Sequence, residues 1–452
     1  MKEQPTGQST LFTLTGRPPF GAALSMALQH LMAMIVGCVT PAIIIANAAG
    51  LSVDDQVRLI QASLLVSALA TLCQIFMLGK WFGSGLPVML GISFAYVPTM
   101  QAIVGAGGGI GAIVGATMVG GVVAMVVGFF SQRIRKHFPP VITGTVVFTI
   151  GLSLYPTAIN YMAGGTSNSY ALVVETEGLT SALVYGSWQN WLVAVLTLVF
   201  VMVLSNKGTG VWKLASILLG MAGGYMVALC FGMVDFSGIA SATWISVPQP
   251  LYFGVSFELA PVITMSLLFA INSIQAIGDF TATTVGGLGR EPSDRELQGG
   301  IVTYGFTNIL GALFCGLPTA TYSQNVGIVS TNKVVNRCVF LLAGLFLLLA
   351  GISPKFSAVL TTIPQCVLGG GTITVFATIA MTGMKLIASQ GLSPRNTTIV
   401  GLSAALGVGI SQSADALSQF PDTITMIFGN SPVVLATILA IALNLILPKE
   451  DA

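Results

Sequence analysis

The chain has 452 residues, of which 54% are hydrophobic and 7% charged, and its formal net charge is +2. So few charged side chains cannot cover the surface of a soluble protein of this length. The composition therefore excludes a soluble globular protein and predicts an all-α polytopic membrane protein. Since neither a phosphate-binding Gly-Lys-Ser/Thr loop nor a nucleophile–base pair is found, we expect no enzyme activity, cofactor, metal ion or nucleic-acid partner.

Apolar stretches long enough for a bilayer of about 30 Å recur along the whole chain. About fourteen are found, near residues 21–47, 57–79, 84–104, 109–131, 139–160, 188–205, 213–234, 258–284, 298–315, 317–331, 337–353, 363–388, 396–411 and 430–447. Seven fall in each half. Because an odd number of spans turns the second half upside down, the count predicts two inverted repeats of seven spans.

Basic residues support this topology, since they accumulate in short cytoplasmic loops. With the N-terminus in the cytoplasm, only Arg58 and Lys355 fall on the outer side. The loops assigned to the cytoplasm hold Lys80, Arg133, Arg135, Lys136, Lys207, Lys213, Arg290, Arg295, Lys333, Arg337, Lys385, Arg395 and Lys449. The outer loops hold Asp54, Asp55, Glu175, Glu177, Asp235, Asp415 and Asp422. Both termini are therefore expected in the cytoplasm.

The first span contains His30, one of few side chains deep in the spans that ionise near neutral pH. Such groups are costly in a membrane and indicate function by default. His30 could orient a neighbouring discontinuous segment, titrate, or serve as a structural hydrogen-bond donor. A structural role is the commoner one for a single histidine in a packed span.

The third span opens with Gly85-Leu86-Pro87, and the same three residues recur at 316–318 in the tenth span. Aligned on this opening, Ser93 corresponds to Gln324 and Phe94 to Asn325. A second repetition relates residues 140–148 to 364–372. Paired apolar segments interrupted by Gly and Pro indicate a transporter binding site at discontinuous helices, whose N-terminal ends favour an electron-rich solute.

The eighth span carries a polar stripe that includes Gln275 and Asp279. Being four residues apart, they share one helical face. Gln275 is predicted to hydrogen-bond a solute, and Asp279 either to carry a proton or to join a structural network.

The tenth span carries Gln324 within a run of amides and hydroxyls that a lipid-facing helix would not tolerate. An amide offers a donor and an acceptor in one plane, which suits the edge of a heterocycle with adjacent N–H and C=O groups. Phe94 could stack on the flat face of such a ring or pack in the core.

At these residues the chain resembles the nucleobase–ascorbate transporter family, and within it the bacterial xanthine and urate permeases. The family signature is Gln or Glu, Asn-x-Gly, four residues, Thr, and then Arg, Lys or Gly. Gln324, Asn325, Gly327 and Lys333 match it, while Asn332 replaces the Thr. Further similarities lie at residues 17–20, 29–31, 40–42, 276–283 and 363–370.

The resemblance implies a core domain at 17–132 and 258–353, and a gate domain at 133–257 and 354–448. It also implies short antiparallel strands in spans three and ten, import of a purine by proton symport, elevator-like movement, a homodimer and the bacterial inner membrane. The roles that it implies for single residues fall into two groups. Gln324, Gln275, Phe94, Ser93, Asn325 and Ala95 belong to the substrate site, and Asp279, His30, Ser323, Tyr304 and Gly327 to coupling or site support.

Two positions depart from the family. Gln275 stands where relatives have a Glu that binds substrate and couples the proton, and Tyr304 where they have Asp or Asn. Since Gln cannot titrate, coupling either runs through Asp279 or is weakened, unless Gln275 is itself a substitution. The open alternatives for function are a uracil-type permease and an anion exchanger of the same fold. A basic residue deep in the broken stretches would favour the exchanger, and none is present.

Overall fold

The structure is a computed structural model, and it describes residues 9–77, 79, 81–131, 133, 139–165, 184–421, 424–429 and 431–448. Some charged residues used for the topology prediction lie outside the described residues. They are Lys80, Arg135, Lys136, Glu175, Glu177, Asp422 and Lys449.

The described residues contain fourteen helices of nine or more residues, numbered here α1 to α14. They are α1 (Phe20–Ala48), α2 (Val53–Ile75), α3 (Val97–Gly105), α4 (Gly109–Phe129), α5 (Pro140–Met162), α6 (Trp188–Lys207), α7 (Ser216–Cys230), α8 (Leu259–Thr283), α9 (Asp294–Leu313), α10 (Ser323–Asn332), α11 (Arg337–Ile352), α12 (Gln365–Ala388), α13 (Pro394–Gln412) and α14 (Pro432–Ile446). Short α-helices form at Val211–Leu214, Ser237–Ser241 and Pro354–Thr361, and a π-helical turn, Thr284–Leu288, extends α8.

Seven of these helices, α1, α2, α4, α5, α6, α8 and α12, are each long and apolar enough to cross a bilayer. An eighth span is possible if α11 and the helix Pro354–Thr361, bent by 81°, count as one. Among the described residues α7 and α14 are apolar but shorter. The chain is thus a polytopic, mostly helical membrane protein, and the count of fourteen spans stays a prediction.

Two helices begin four residues earlier than hydropathy predicted, because their first turns are polar and capped. The Ser52 hydroxyl accepts a hydrogen bond from the Asp55 backbone N–H at the start of α2. Ser293 and Glu296 form a reciprocal capping box at the start of α9. Capping side chains satisfy backbone N–H groups that have no partner within the helix, so they set helix ends at positions that hydropathy does not mark.

The discontinuous segments form two three-residue strands, as expected. β1 (Leu90–Ile92) and β2 (Thr319–Thr321) pair antiparallel, with Gly91 opposite Ala320 at the centre. A 3₁₀ turn, Phe94–Tyr96, leads from β1 into α3, and α10 follows β2 directly. Each strand therefore delivers the N-terminal end of a short helix to the middle of the protein.

The strand register corrects the sequence alignment of the two broken segments. With Gly91 opposite Ala320, a twofold relation makes Ser93 equivalent to Tyr322 and Phe94 to Ser323. The alignment on Gly-Leu-Pro, which equated Ser93 with Gln324, is two residues out. The connection from proline to strand is two residues longer in the first copy, and local identity could not reveal this.

Helix contacts in the described residues fall into two sets. In the first set, α1 to α4 interleave with α8 to α11, with α4 packed on α9 and α2 on α11. In the second set, α5 to α7 pack with α12 to α14, and α5 against α12 is the most extensive helix pair. Glycines allow this pair to approach closely, since a Cβ on Gly383 would lie 2.2 Å from the Phe148 nitrogen.

Candidate functional site

A cavity of about 210 Å³ lies between the two sets of helices. Its walls come from the end of β1, the β2–α10 junction and α8 on one side, and from α5 and α12 on the other. The lining residues are Ile92, Ser93, Phe94, Ala95, Gln275, Thr321, Tyr322, Ser323 and Gln324 from the first set, and Val147, Ile150, Thr378, Ile379 and Thr382 from the second. This volume suits a solute smaller than a drug-sized ligand.

Two amide side chains in this cavity are suited to binding a solute. Gln324 in the first turn of α10 is exposed to it, and Gln275 of α8 is partly exposed. Neither amide has a hydrogen-bond partner within the part of the chain that the structure describes. Because each keeps both donor and acceptor capacity, the two amides can bind a planar polar ligand without breaking an internal bond.

Phe94 closes one wall of the cavity and also packs across the boundary between the sets. Its ring lies 5.0 Å from the Phe376 ring of α12 in an edge-to-face arrangement. Only 6% of Phe94 is exposed. Ring stacking on a ligand and core packing, the two alternatives drawn from sequence, are both compatible with this position. The adjacent Ala95 also lines the cavity, and its small side chain leaves space for a ligand.

Ser93 acts as a helix cap as well as a lining residue. Its hydroxyl accepts a hydrogen bond from the Ala95 backbone N–H at 3.2 Å. Its own N–H donates to the Pro318 carbonyl at 3.1 Å, next to the strand pair. Ser93 therefore positions the turn that carries Phe94 and Ala95.

Asp279 lies one helical turn beyond Gln275 and binds residues that line the cavity. Its carboxylate accepts hydrogen bonds from the hydroxyls of Thr321 and Ser323, the latter at 2.8 Å. The side chain is buried, with 8% exposure, and does not itself line the cavity. Asp279 thus fixes the junction between β2 and α10, and a change in its charge would act on the cavity wall.

His30 and Asn325 contact each other, away from the cavity. The Asn325 amide donates to the His30 carbonyl at 3.0 Å and lies 3.1 Å from His30 Nδ1. The imidazole packs 4.6 Å from the Phe340 ring. The pair joins α10 to α1, so His30 contacts the discontinuous segment of the tenth span, and its role in site support stays a prediction. Gly327 faces outward on α10, also away from the cavity.

Tyr304 is equally remote from the cavity. Its hydroxyl pairs with the hydroxyl of Tyr96, and both side chains are fully buried. By the strand register Tyr96 is equivalent to Asn325, so each half places a buried polar anchor at the same point after its strand. The Tyr304 phenol thus holds Tyr96, the residue that precedes α3.

The wall contributed by the second set was not predicted from the sequence. Val147 and Ile150 look like ordinary apolar residues of a span. The threonines of α12 could have indicated a polar helix face from sequence, because Thr374, Thr378 and Thr382 recur every four residues. The hydroxyls of Thr378 and Thr382 donate to their own helix backbone at 2.8 Å, and both residues line the cavity.

Two discontinuous helices meeting at a polar cavity, within a polytopic bundle, define the class of secondary membrane transporters. The transmembrane domain of a cyanobacterial bicarbonate transporter, BicA, has a similar fold, with a TM-score of 0.58 at 16% identity over 95% of this chain and all of that domain.

The model of the Permease family matches residues 21–416. Uric acid permease PucJ of Bacillus subtilis is 34% identical over 94% of this chain and 93% of its own length. Xanthine permease of Bacillus subtilis is 32% identical over 95% of this chain and 94% of its own. The chain therefore belongs to this family of nucleobase permeases, the nucleobase–ascorbate transporters.

Proposed function

We propose that the protein imports a purine nucleobase, namely xanthine, urate or a related oxidised purine, by proton symport with elevator-type alternating access. The observation that carries the proposal is the cavity between the two sets of helices, with the unpaired amides of Gln275 and Gln324 beside Phe94. Similarity to xanthine and uric acid permeases supports the choice of purine.

The cavity offers the contacts that a purine requires. An oxidised purine presents adjacent N–H and C=O groups along its edge, which a Gln amide matches with one acceptor and one donor. The apolar wall of Ile92, Phe94, Val147 and Ile150 suits the flat faces of the ring. Recognition would then combine hydrogen bonds from the first set with apolar contact from both.

We assign the first set to a core domain, residues 17–132 and 258–353, and the second to a gate domain, residues 133–257 and 354–448. Two inverted repeats are supported by helix contacts that recur when each helix is replaced by its equivalent seven helices away. The α2–α11 contact corresponds to the α9–α4 contact, and the α6–α7 contact to the α13–α14 contact. The antiparallel pairing of equivalent strands agrees with a twofold axis between the repeats. A ligand held at this boundary would cross the membrane as the core moves against the gate.

Coupling to protons is assigned to Asp279. Within the described residues it is the carboxylate next to the cavity, and Gln275 cannot titrate. Protonation would change how firmly its oxygens hold Thr321 and Ser323, and hence the cavity wall. Gln275 occupies the family's usual Glu position, so Gln275→Glu should strengthen coupling.

We place the protein in a bacterial inner membrane as a homodimer, with both termini cytoplasmic. The bacterial source of the relatives and the distribution of basic residues support this location. Under this topology the cavity-lining residues of α5 lie in the first, cytoplasmic half of that helix, and those of α12 in its second, cytoplasmic half. The structure then corresponds to an inward-facing state.

The test is uptake of radiolabelled xanthine and urate into proteoliposomes, with and without an inward proton gradient, for the chain as given and for Gln275→Glu. We expect specific binding by both proteins and larger gradient-driven accumulation by Gln275→Glu. If neither protein binds or moves a purine and a chloride or sulfate flux appears instead, the anion-exchanger alternative replaces the proposal.

A further inference from the structure

A second cavity, of about 200 Å³, crosses the same boundary at a different place and has a different chemistry. We call it the apolar crevice. It is formed by α1, α7, the helix Pro354–Thr361 and the start of α12. Its lining residues are Ile35, Val36, Val39, Thr40, Leu218, Met221, Ala222, Tyr225, Val359, Leu360, Ile363 and Leu368.

The crevice has almost no polar group to offer a ligand. The Tyr225 hydroxyl is already 2.9 Å from the Thr362 hydroxyl. The Thr40 hydroxyl is buried without a partner among the described residues, and it is a single group in an apolar lining. A nucleobase would leave its polar edge unsatisfied here, and water is excluded from apolar cavities of this kind. The occupant must itself be apolar.

The crevice has a buried floor and an open mouth. Val36, Val39, Met221 and Leu368 on the floor are at most 8% exposed. At the mouth Ala222 is exposed, and Val359 is 45% exposed. Ala222 belongs to the apolar helix α7 of a membrane protein, so the mouth on this side faces the bilayer and not water.

The depth of the crevice matches the acyl-chain region of one leaflet. Thr40 lies eight residues before the end of α1 at Ala48. At a rise of about 1.5 Å per residue this places it about 12 Å from that end. The hydrocarbon core of a bilayer is about 30 Å thick, so a chain from the nearer leaflet reaches this level.

We propose that the apolar crevice is a binding site for one acyl chain of a membrane phospholipid, inserted between α1 and the α7–α12 pair. The chain would fill space that neither water nor a purine can occupy, and it would contact both sets of helices at once. Because the lipid would contact both sets of helices there, the lipid composition of the membrane would affect the protein through this site. The inference rests on membrane embedding and not on the identity of the transported solute.

The experiment uses proteoliposomes that contain a phosphatidylethanolamine with a photoactivatable diazirine at the methyl end of one chain. After irradiation, mass spectrometry quantifies adducts on residues 35–40 of α1. Gly37 is partly exposed and the other five residues are at most 9% exposed, so labelling of these five requires a chain inside the crevice. We expect adducts there in the unmodified protein, and at least fivefold fewer in Ala222→Phe, whose ring fills the mouth.

The matched control is Leu349→Phe, on a side chain of α11 that is 64% exposed and is not among the residues that line the crevice. It should leave labelling of residues 35–40 unchanged. If Ala222→Phe does not fold, Val359→Phe blocks the mouth from the other side. The proposal fails if residues 35–40 carry no adducts while exposed surfaces are labelled, or if a folded mouth-blocking variant is labelled as strongly as the control. Neither readout depends on purine transport.

Discussion

At the scale of single residues, the site contains two kinds of side chain, those that face the cavity without an internal partner and those that hold its wall. Gln275 and Gln324 have no internal partner in the described structure and face the cavity. Ser93 and Asp279 are bonded to the backbone or hydroxyl groups of the strand–helix junctions. The proposed function therefore assigns affinity to the amides and coupling to the wall.

Replacing the Gln324 amide by an apolar side chain of similar size tests the first assignment. In Gln324→Leu we expect xanthine binding at least about tenfold weaker, equivalent to about 1.4 kcal/mol, because the purine edge loses a donor and an acceptor. Equilibrium binding to purified protein measures the change. Gln390→Leu, in the exposed turn after α12, is the matched control. If both variants bind xanthine with equal affinity, Gln324 is not part of the binding site.

Removing the charge of Asp279 tests the second assignment. Asp279→Asn keeps an acceptor for Thr321 or Ser323 but cannot take up a proton. We expect gradient-driven xanthine accumulation in proteoliposomes to be lost, with binding weakened by less than about tenfold, or about 1.4 kcal/mol. Asp54→Asn, on the exposed first turn of α2, should change neither property. Undiminished accumulation in Asp279→Asn would show that coupling lies elsewhere.

At the scale of elements, the short strands locate the site, and neighbouring side chains hold backbone groups that the strand pair leaves over. The Thr71 hydroxyl of α2 donates to the Leu90 carbonyl at 2.9 Å and accepts from its N–H at 3.0 Å. On the other strand, the side-chain carbonyl oxygen of Asn308 accepts from the Thr319 N–H at 2.8 Å. Non-helical backbone persists at membrane depth only where protein groups satisfy it in this way.

Thr71→Val therefore removes both hydrogen bonds to Leu90 while keeping the shape of the side chain. It leaves both the Leu90 N–H and the Leu90 carbonyl buried without that partner, at a cost of about 1–3 kcal/mol for each unsatisfied group. We expect a lower thermal midpoint in detergent than in the unmodified protein. Thr398→Val, where an exposed hydroxyl bonds its own helix, should have little effect. An unchanged midpoint in Thr71→Val would show that β1 does not depend on this contact.

At the scale of the whole molecule, the two cavities lie on one boundary and differ in polarity. The polar one is lined by both broken segments together with α5 and α12, and the apolar one by α1, α7 and α12. Movement of the first set against the second would change both. In the inward-facing state proposed above, the polar cavity is open to the cytoplasmic side, and this accessibility can be measured.

Thr382→Cys places a reactive group in the cavity wall, three residues before Lys385 at the predicted cytoplasmic side. A membrane-impermeant maleimide should label it faster in inside-out than in right-side-out vesicles, and xanthine should slow the reaction. Quantifying the modified peptide separates it from native cysteines. Ser389→Cys, just after α12, should react from the same side without protection by xanthine. Labelling from the outer side alone would reverse the assigned state.

The sequence by itself determined the membrane class, the two broken segments and the polar residues of spans eight and ten. These follow from composition, Gly and Pro positions and helical spacing, all of which are local properties. The family resemblance added the strand pair and the purine, and the comparisons confirmed the family.

Only the tertiary structure decided which side chains meet. The pairing of Gly91 with Ala320 shifted the correspondence between the halves, and Asn325 and Tyr304 turned to buried partners away from the cavity. The wall from α5 and α12 was likewise visible only in three dimensions. Strand register and helix faces are set by long-range packing, which places residues far apart in the chain against each other, and no local pattern records that choice.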